Sequence, residues 1–306
     1  MLHTSDTSPR AWTRHTPEPR AVLTLLKPIT WFPPIWAFLC GLVSSGGTVF
    51  EHGHEILVGL ILVGPLVCGM SQAANDWCDR HVDQINEPHR PIPSGRIPGK
   101  WGLWIAISMS IAALGLAASA GVWVLVPTVI AVLSAWAYSC EPVRLKRSGI
   151  WGPLLVGLSY ETLPWLTGVA IMSAQAPSIA HMIMATLYGL GAFGIMTLND
   201  FKALEGDRKT GVQSLPVMLG PDKAALVACG VILIAQVTVM LLLFGWGHHI
   251  IGIIIIALLA PQIWAMRLLL KDPKGKAPWF NGPGVIPYIL GMMVTAWALS
   301  DMTGGF

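Results

Sequence analysis

The chain is 306 residues long, 54% hydrophobic and only 11% charged, against roughly 25% charged residues in an ordinary soluble protein. That composition excludes a soluble globular domain, leaves no basic surface for a nucleic-acid partner, and marks a polytopic protein whose surroundings are the lipid bilayer. The net charge of +3 says little by itself, so the argument rests on where the charges lie.

Residues 1–27 carry Arg10, Arg14, Arg20 and Lys27 with several prolines and no apolar core. They match neither a cleavable signal nor a spanning helix and read as a polar cytoplasmic tail ahead of a single membrane domain, 28–306. Apolar runs long enough to cross about 30 Å of hydrocarbon follow at 30–49, 55–76, 101–119, 121–139, 151–172, 178–199, 223–245, 248–269 and 283–300. The predicted fold is all-α with nine transmembrane helices. Of the five cysteines, Cys40, Cys68 and Cys229 fall inside apolar runs and none shows CxxC spacing, so neither a disulfide nor structural zinc is expected.

Lysine and arginine fix the topology. Four lie in the tail, four after the second run (Arg80, Arg90, Arg96, Lys100), three after the fourth (Arg144, Lys146, Arg147), four after the sixth (Lys202, Arg208, Lys209, Lys223) and four after the eighth (Arg267, Lys271, Lys274, Lys276). These are all 19 of the chain's basic residues, and the opposite face is left with none. The N-terminus and every long polar loop are therefore expected in the cytoplasm.

Two segments on that face stand out. Asn75-Asp76 opens a stretch with Asp79, Asp83 and Glu87, and Asn199-Asp200 opens one with Glu205 and Asp207; together they hold seven of the chain's 16 acids. At 100° per residue Asp76, Asp79 and Asp83 fall within about 60° of one another, and Asp200 and Asp207 nearly eclipse. Acids stacked so closely repel unless divalent cations sit between them. Flanked by Arg90, Arg96, Lys146, Lys202 and Arg208, they suit a magnesium diphosphate, with Mg²⁺ on the carboxylates and the cations on phosphate oxygens. The hydrophobic bundle beneath would take an isoprenoid tail. Each segment ends a helix and leads into a proline-bearing stretch, Pro91-Ile92-Pro93-Ser94-Gly95 and Ser214-Leu215-Pro216. This positional echo suggests two four-helix pseudo-repeats plus a ninth helix.

Asn-Asp-Trp-x-Asp-x-x-x-Asp-x-Ile-Asn-Glu-Pro-x-Arg-Pro-Ile-Pro-Ser-Gly over 75–95, Asn-Asp-Phe-Lys-x-x-Glu-Gly-Asp-Arg over 199–208 and Leu-Lys-Pro-Ile-Thr-Trp-Phe-Pro-Pro over 26–34 resemble the intramembrane prenyltransferases of the UbiA type. Within them they are similar to the chlorophyll and bacteriochlorophyll synthase branch, and the short tail points to its bacterial members. The resemblance implies an enzyme that esterifies the propionate of bacteriochlorophyllide with a geranylgeranyl or phytyl diphosphate, releasing diphosphate. It implies Mg²⁺ held by Asp76, Asp79, Asp83, Asp200 and Asp207, with Asn75 and Asn199 as auxiliary ligands. The second segment has leucine at 204, which leaves open whether Glu205 or only Asp207 reaches metal. The resemblance further implies a bacterial inner or intracytoplasmic photosynthetic membrane, with geranylgeranyl reductase and pigment-protein assembly factors as neighbours. Glu161, in the middle of the fifth run, is a functional candidate by its position; it either lines the tetrapyrrole pocket or bonds, protonated, to a neighbouring helix. His181, His248 and His249 are expected at the far interface. Two rival readings stand beside this one. The first is a prenyltransferase with an aromatic acceptor; the second is a transporter or pigment-carrying scaffold, against which the crowding of acids on one face argues.

Overall fold

The computed structural model describes residues 16–47 and 51–302. Among them are nine helices long and apolar enough to cross a membrane: α1 Pro19–Ser44, α2 Gly53–Asn86, α3 Trp101–Ala120, α4 Val122–Ser139, α5 Trp151–Ser173, α6 Ile179–Lys209, α7 Pro221–Gly245, α8 His249–Lys271 and α9 Pro283–Met302. The fold is all-α and polytopic, and the described residues form no sheet, only one isolated bridge between Ser148 and Gln213. The hydropathy boundaries hold for most spans and fail where polar sequence stays helical. Thus α2 runs on to Asn86, and α1 begins with a separate amphipathic turn, Pro19–Leu26. That turn buries Ala21 and Leu25 against Met70, Ala73 and Ala74 of α2.

The helices form a closed circuit: α1 packs on α5, α5 on α6, α6 on α7, α7 on α8, α8 on α9 and α9 back on α1, while α2, α3 and α4 complete the other side. Lipid tails offer no hydrophobic drive between helices, so close approach of small residues supplies the contact instead. At the crossing of α1 and α5, a Cβ on Gly41 would stand 2.1 Å from the Trp165 carbonyl oxygen, and one on Gly168 would stand 2.3 Å from that of Phe38. Beside this crossing Trp165 stacks on Tyr188 at 5.7 Å and donates its indole N–H to Ser44 Oγ at 3.0 Å.

One expectation is refined here and one corrected. His181 stands in the first turn of α6 and is buried there: its Nε2 meets the Ser44 carbonyl at 2.9 Å and its Nδ1 meets Ser178 Oγ at 2.8 Å, so it joins the ends of α1 and α6. Cys78 and Cys140 are paired as a disulfide, with Cα atoms 5.4 Å apart. The C-terminal ends of α2 and α4 meet there, a neighbourhood that a sequence separation of 62 conceals. Cys40, Cys68 and Cys229 are free and buried.

Candidate active site

The polar C-terminal end of α2 carries the first acidic segment. Its helix ends at Asn86, and the turn that follows, closed by Arg90 N–H to the Glu87 carbonyl at 3.0 Å, reverses the chain. Arg90 thereby reaches back to Asp83 at 2.8 Å and to Asp76 at 3.5 Å. Asp76 and Asp83, seven residues apart, lie on one line of the helix, which is why one guanidinium serves both. Burial works against the charge on Arg90, but the fields of Asp76 and Asp83 outweigh it and its pKa is raised. Asp76 is 1% exposed. It also receives Lys27 Nζ at 2.7 Å on Oδ1, while its Oδ2 is buried without a hydrogen-bond partner.

Asp79 sits to the side of that line and faces another loop. It accepts from Arg144 at 2.8 Å and from Lys146. Burial lowers the Lys146 ammonium from the ordinary lysine value, Asp79 opposing and Arg144 adding to the fall. Lys27 and Arg144 have φ of 45° and 42°, two of three non-glycine residues with positive φ among those described. Each such residue costs on the order of 1–3 kcal/mol unless its surroundings hold it, and here the ion pairs hold both.

The second segment departs from the uniform helix assumed for it. After Asn199 the chain tightens into a 3-10 turn, Asp200–Ala203, before a short helix, Leu204–Thr210, because Phe201 and Leu204 turn inward to be buried. Asp200 and Asp207 still feel each other's charge, and Lys202 lies within reach of Asp200. Glu205 and Arg208 are exposed on the short helix. The two segments face one another across Tyr138 at the end of α4, which lies in the fields of Asp200, Asp79 and Asp207 together. Main-chain bonds fix that relation: Gly149 N–H donates to the Gln213 carbonyl at 2.7 Å and Gln213 N–H to the Arg147 carbonyl at 3.1 Å. These tie the loop bearing Arg144 and Lys146 to the loop after the second segment.

Beneath the acids opens a cavity of about 560 Å³, lined by Asn75, Tyr138, Asn199 and Lys202 at its mouth and by α1, α2, α4, α5 and α6 below. Asn75 also donates to Ser139 Oγ at 3.4 Å. Glu161, 8% exposed, lines the same cavity. Not every expected residue arrives. Arg96 turns to its own loop, bonding Ser94 Oγ at 3.2 Å and the His89 carbonyl at 2.9 Å. Lys27, Arg144 and Tyr138, which the sequence did not single out, are at the centre. The one available signal was that every basic residue falls on the face that carries the acidic helix ends, which places Arg144 on that face without showing its partner.

Among the described residues no three acids, histidines or cysteines converge into a complete metal cage. The donor set still fits Mg²⁺, which takes one or two carboxylates and fills its shell with water and phosphate. The partnerless Asp76 Oδ2 and the Asn75 and Asn199 amides at the mouth are hard oxygen donors of that kind.

Residues 31–282 match the UbiA prenyltransferase family. The chain is 62% identical to the bacteriochlorophyll synthase 33 kDa chain of Cereibacter sphaeroides over 289 residues, 94% of this chain and 96% of that one. It is 58% identical to the protein of the same name from Rhodobacter capsulatus over 295 residues, 95% and 96% of the two chains. The solved structure of a UbiA homolog from Archaeoglobus fulgidus bound to DMAPP and Mg²⁺ superposes with a TM-score of 0.69 at 20% identity, covering 92% of this chain and 99% of that one. A 252-residue family match and relatives of near-equal length place the whole membrane body in one family: the chain belongs to the UbiA prenyltransferases.

Proposed function

We propose that the protein esterifies the propionate carboxylate of bacteriochlorophyllide with a long-chain prenyl diphosphate of the geranylgeranyl or phytyl type, releasing diphosphate. The observation that carries this reading is the pairing of two acidic segments over an apolar cavity, in a chain 62% identical to a bacteriochlorophyll synthase chain.

Asp76, Asp79, Asp83, Asp200 and Asp207 would hold Mg²⁺, with Asn75 and Asn199 assisting. Bound Mg²⁺ supplies positive charge against the leaving diphosphate as the allylic C–O bond ionises. The protein's own cations supply the rest. Lys27, Arg90, Arg144 and Lys146 neutralise the acids in the free protein; with Mg²⁺ held by the acids, these four would be available to the phosphate oxygens, Arg bidentately and Lys as point charges. Lys202, at the mouth, reaches the same headgroup. Arg208, exposed beside it, steers the anion inward. The apolar cavity wall keeps water from the cation that forms. A propionate is ionised at neutral pH, with a pKa near that of glutamate, about 4.3, so the site needs no general base and has only to orient the carboxylate toward C1.

The enzyme would work in the photosynthetic membrane of a bacterium with its acidic face in the cytoplasm. A geranylgeranyl reductase and pigment-protein assembly factors would then receive its product. Membranes carrying the protein, given bacteriochlorophyllide, Mg²⁺ and geranylgeranyl diphosphate, should form esterified pigment. Asp76→Ala and Asp200→Ala should each lower the rate by more than about tenfold, or about 1.4 kcal/mol. Ester formation that survives both substitutions and chelation of Mg²⁺ would refute the assignment.

A further inference from the structure

Glu161 is an anomaly that the diphosphate chemistry does not use. It lies ten residues into α5 from Trp151, about 15 Å along the axis, which is half the thickness of a hydrocarbon core of about 30 Å. It belongs to a wider π turn, Leu158–Thr162, a feature that recurs at functional sites. Its Oε2 is buried and accepts no hydrogen bond. The only lysine or arginine among the described residues lining the cavity is Lys202, up at the mouth. A carboxyl without a partner in such a place is costly, so its partner has to arrive with a ligand.

The two substrates differ sharply in what they offer. An isoprenoid chain has no polar atom beyond its diphosphate, and a bare carboxyl oxygen beside it would only weaken binding. A magnesium tetrapyrrole brings a hard cation in the plane of its ring with an axial position open to an oxygen ligand. The wall nearby is polar as well: Gln72 donates to the Tyr160 hydroxyl at 3.1 Å, and both residues line the cavity with Glu161.

Resting on the function proposed above, we propose that Glu161 is the axial ligand of the acceptor's central magnesium. It holds the macrocycle in the lower cavity with its propionate directed toward Asn75 and Asn199 at the mouth. The contact is to the substrate's own metal and is separate from the diphosphate site. A protonated Glu161 giving a hydrogen bond to a ring carbonyl is the competing chemistry, and the alanine variant separates the two: loss of an axial ligand weakens only the metallated ring, whereas loss of a hydrogen bond weakens both rings.

The test is equilibrium binding, without prenyl donor, of bacteriochlorophyllide and of its metal-free counterpart to the full-length protein in nanodiscs, read by quenching of its tryptophans. Wild type should bind the magnesium form more than about tenfold tighter than the metal-free form, a readable shift in Kd. Glu161→Leu and Glu161→Ala, which carry no oxygen donor, should both erase that preference by weakening the magnesium form alone. Binding of geranylgeranyl diphosphate with Mg²⁺ should be unchanged in both and serves as the control for folding. The proposal is overturned if wild type shows no preference for the metallated ring, a result that needs no variant. It is also overturned if Glu161→Leu keeps the preference, or if Glu161→Ala weakens both rings equally. Failure of the underlying reading looks different: wild-type membranes would make no ester from the magnesium acceptor and geranylgeranyl diphosphate at all.

Discussion

The Lys27–Asp76 pair allows a prediction with two opposite rankings. Its ends differ in exposure, 29% for the lysine side chain and 1% for the aspartate. Lys27→Met strands a buried carboxylate, whose remaining cation, Arg90, is 3.5 Å away. Removing one partner of a buried pair costs about 3–5 kcal/mol, and with Arg90 still present we expect about 2–3 kcal/mol. Asp76→Asn strands only a lysine that water reaches, so its cost should stay below about 1 kcal/mol. The double substitution should return most of the stability lost in Lys27→Met. Activity should rank the other way, with Asp76→Asn inactive because it removes a carboxylate charge proposed to hold Mg²⁺ and Lys27→Met impaired but measurable once Mg²⁺ supplies the missing charge. Thermal unfolding followed by circular dichroism in detergent, without Mg²⁺ or diphosphate, reads the first ranking, and ester formation at saturating Mg²⁺ reads the second. Asp76→Asn destabilising as much as Lys27→Met would refute the reasoning, since it would mean that burial does not set the cost of this pair.

Arg90→Ala should cut turnover by more than about tenfold, or about 1.4 kcal/mol, whereas Arg96→Ala should cost less than about threefold by the same relation, because Arg96 bonds only its own loop; equal losses would contradict the separation. Gly41→Ala should destabilise the protein by about 1–3 kcal/mol through overpacking, measured by the same unfolding assay, because its Cβ meets backbone rather than a yielding side chain. Cysteines placed at Ser94 and Ser148 should react with an impermeant thiol reagent only from the cytoplasmic side, and one at Gln175 only from the other; labelling of Ser94→Cys from outside would invert the topology.

Hydropathy and charge made the spans readable because each helix meets lipid directly and its composition answers to that solvent. The acids were readable for a similar reason: Asp76, Asp79 and Asp83 share one helix, so a fixed rotation per residue predicts their grouping. What escaped was set by contacts between helices. Lys27 lies 49 positions from Asp76, and Arg144 lies 65 from Asp79. Each is aimed by a left-handed backbone turn that no periodicity announces. The nearly eclipsed placement of Asp200 and Asp207 relied on unbroken α geometry, which the burial of Phe201 and Leu204 interrupts. Arg96 carried the right charge in the right loop, yet local hydrogen bonds claimed it. The Cys78–Cys140 pairing and the joint made by His181 likewise depend on which helix ends meet.

The π turn Leu62–Cys68 in α2 ends eight residues before Asp76, and it acts on the acids as a phase setting. Wound as ordinary α-helix, the same residues would carry everything beyond them about 100° further round the axis and about 1.5 Å along it. Asp76 would then look away from Lys27, and Asp79 from Arg144 and Lys146. The surplus residue held in the π turn keeps the apolar N-terminal half of α2 and its acidic C-terminal half in step. Gain or loss of a single residue is therefore best absorbed between 62 and 68, where the helix can trade a π turn for an α turn. The same edit between 69 and 75 would dial the acidic stripe out of register with the cations that read it.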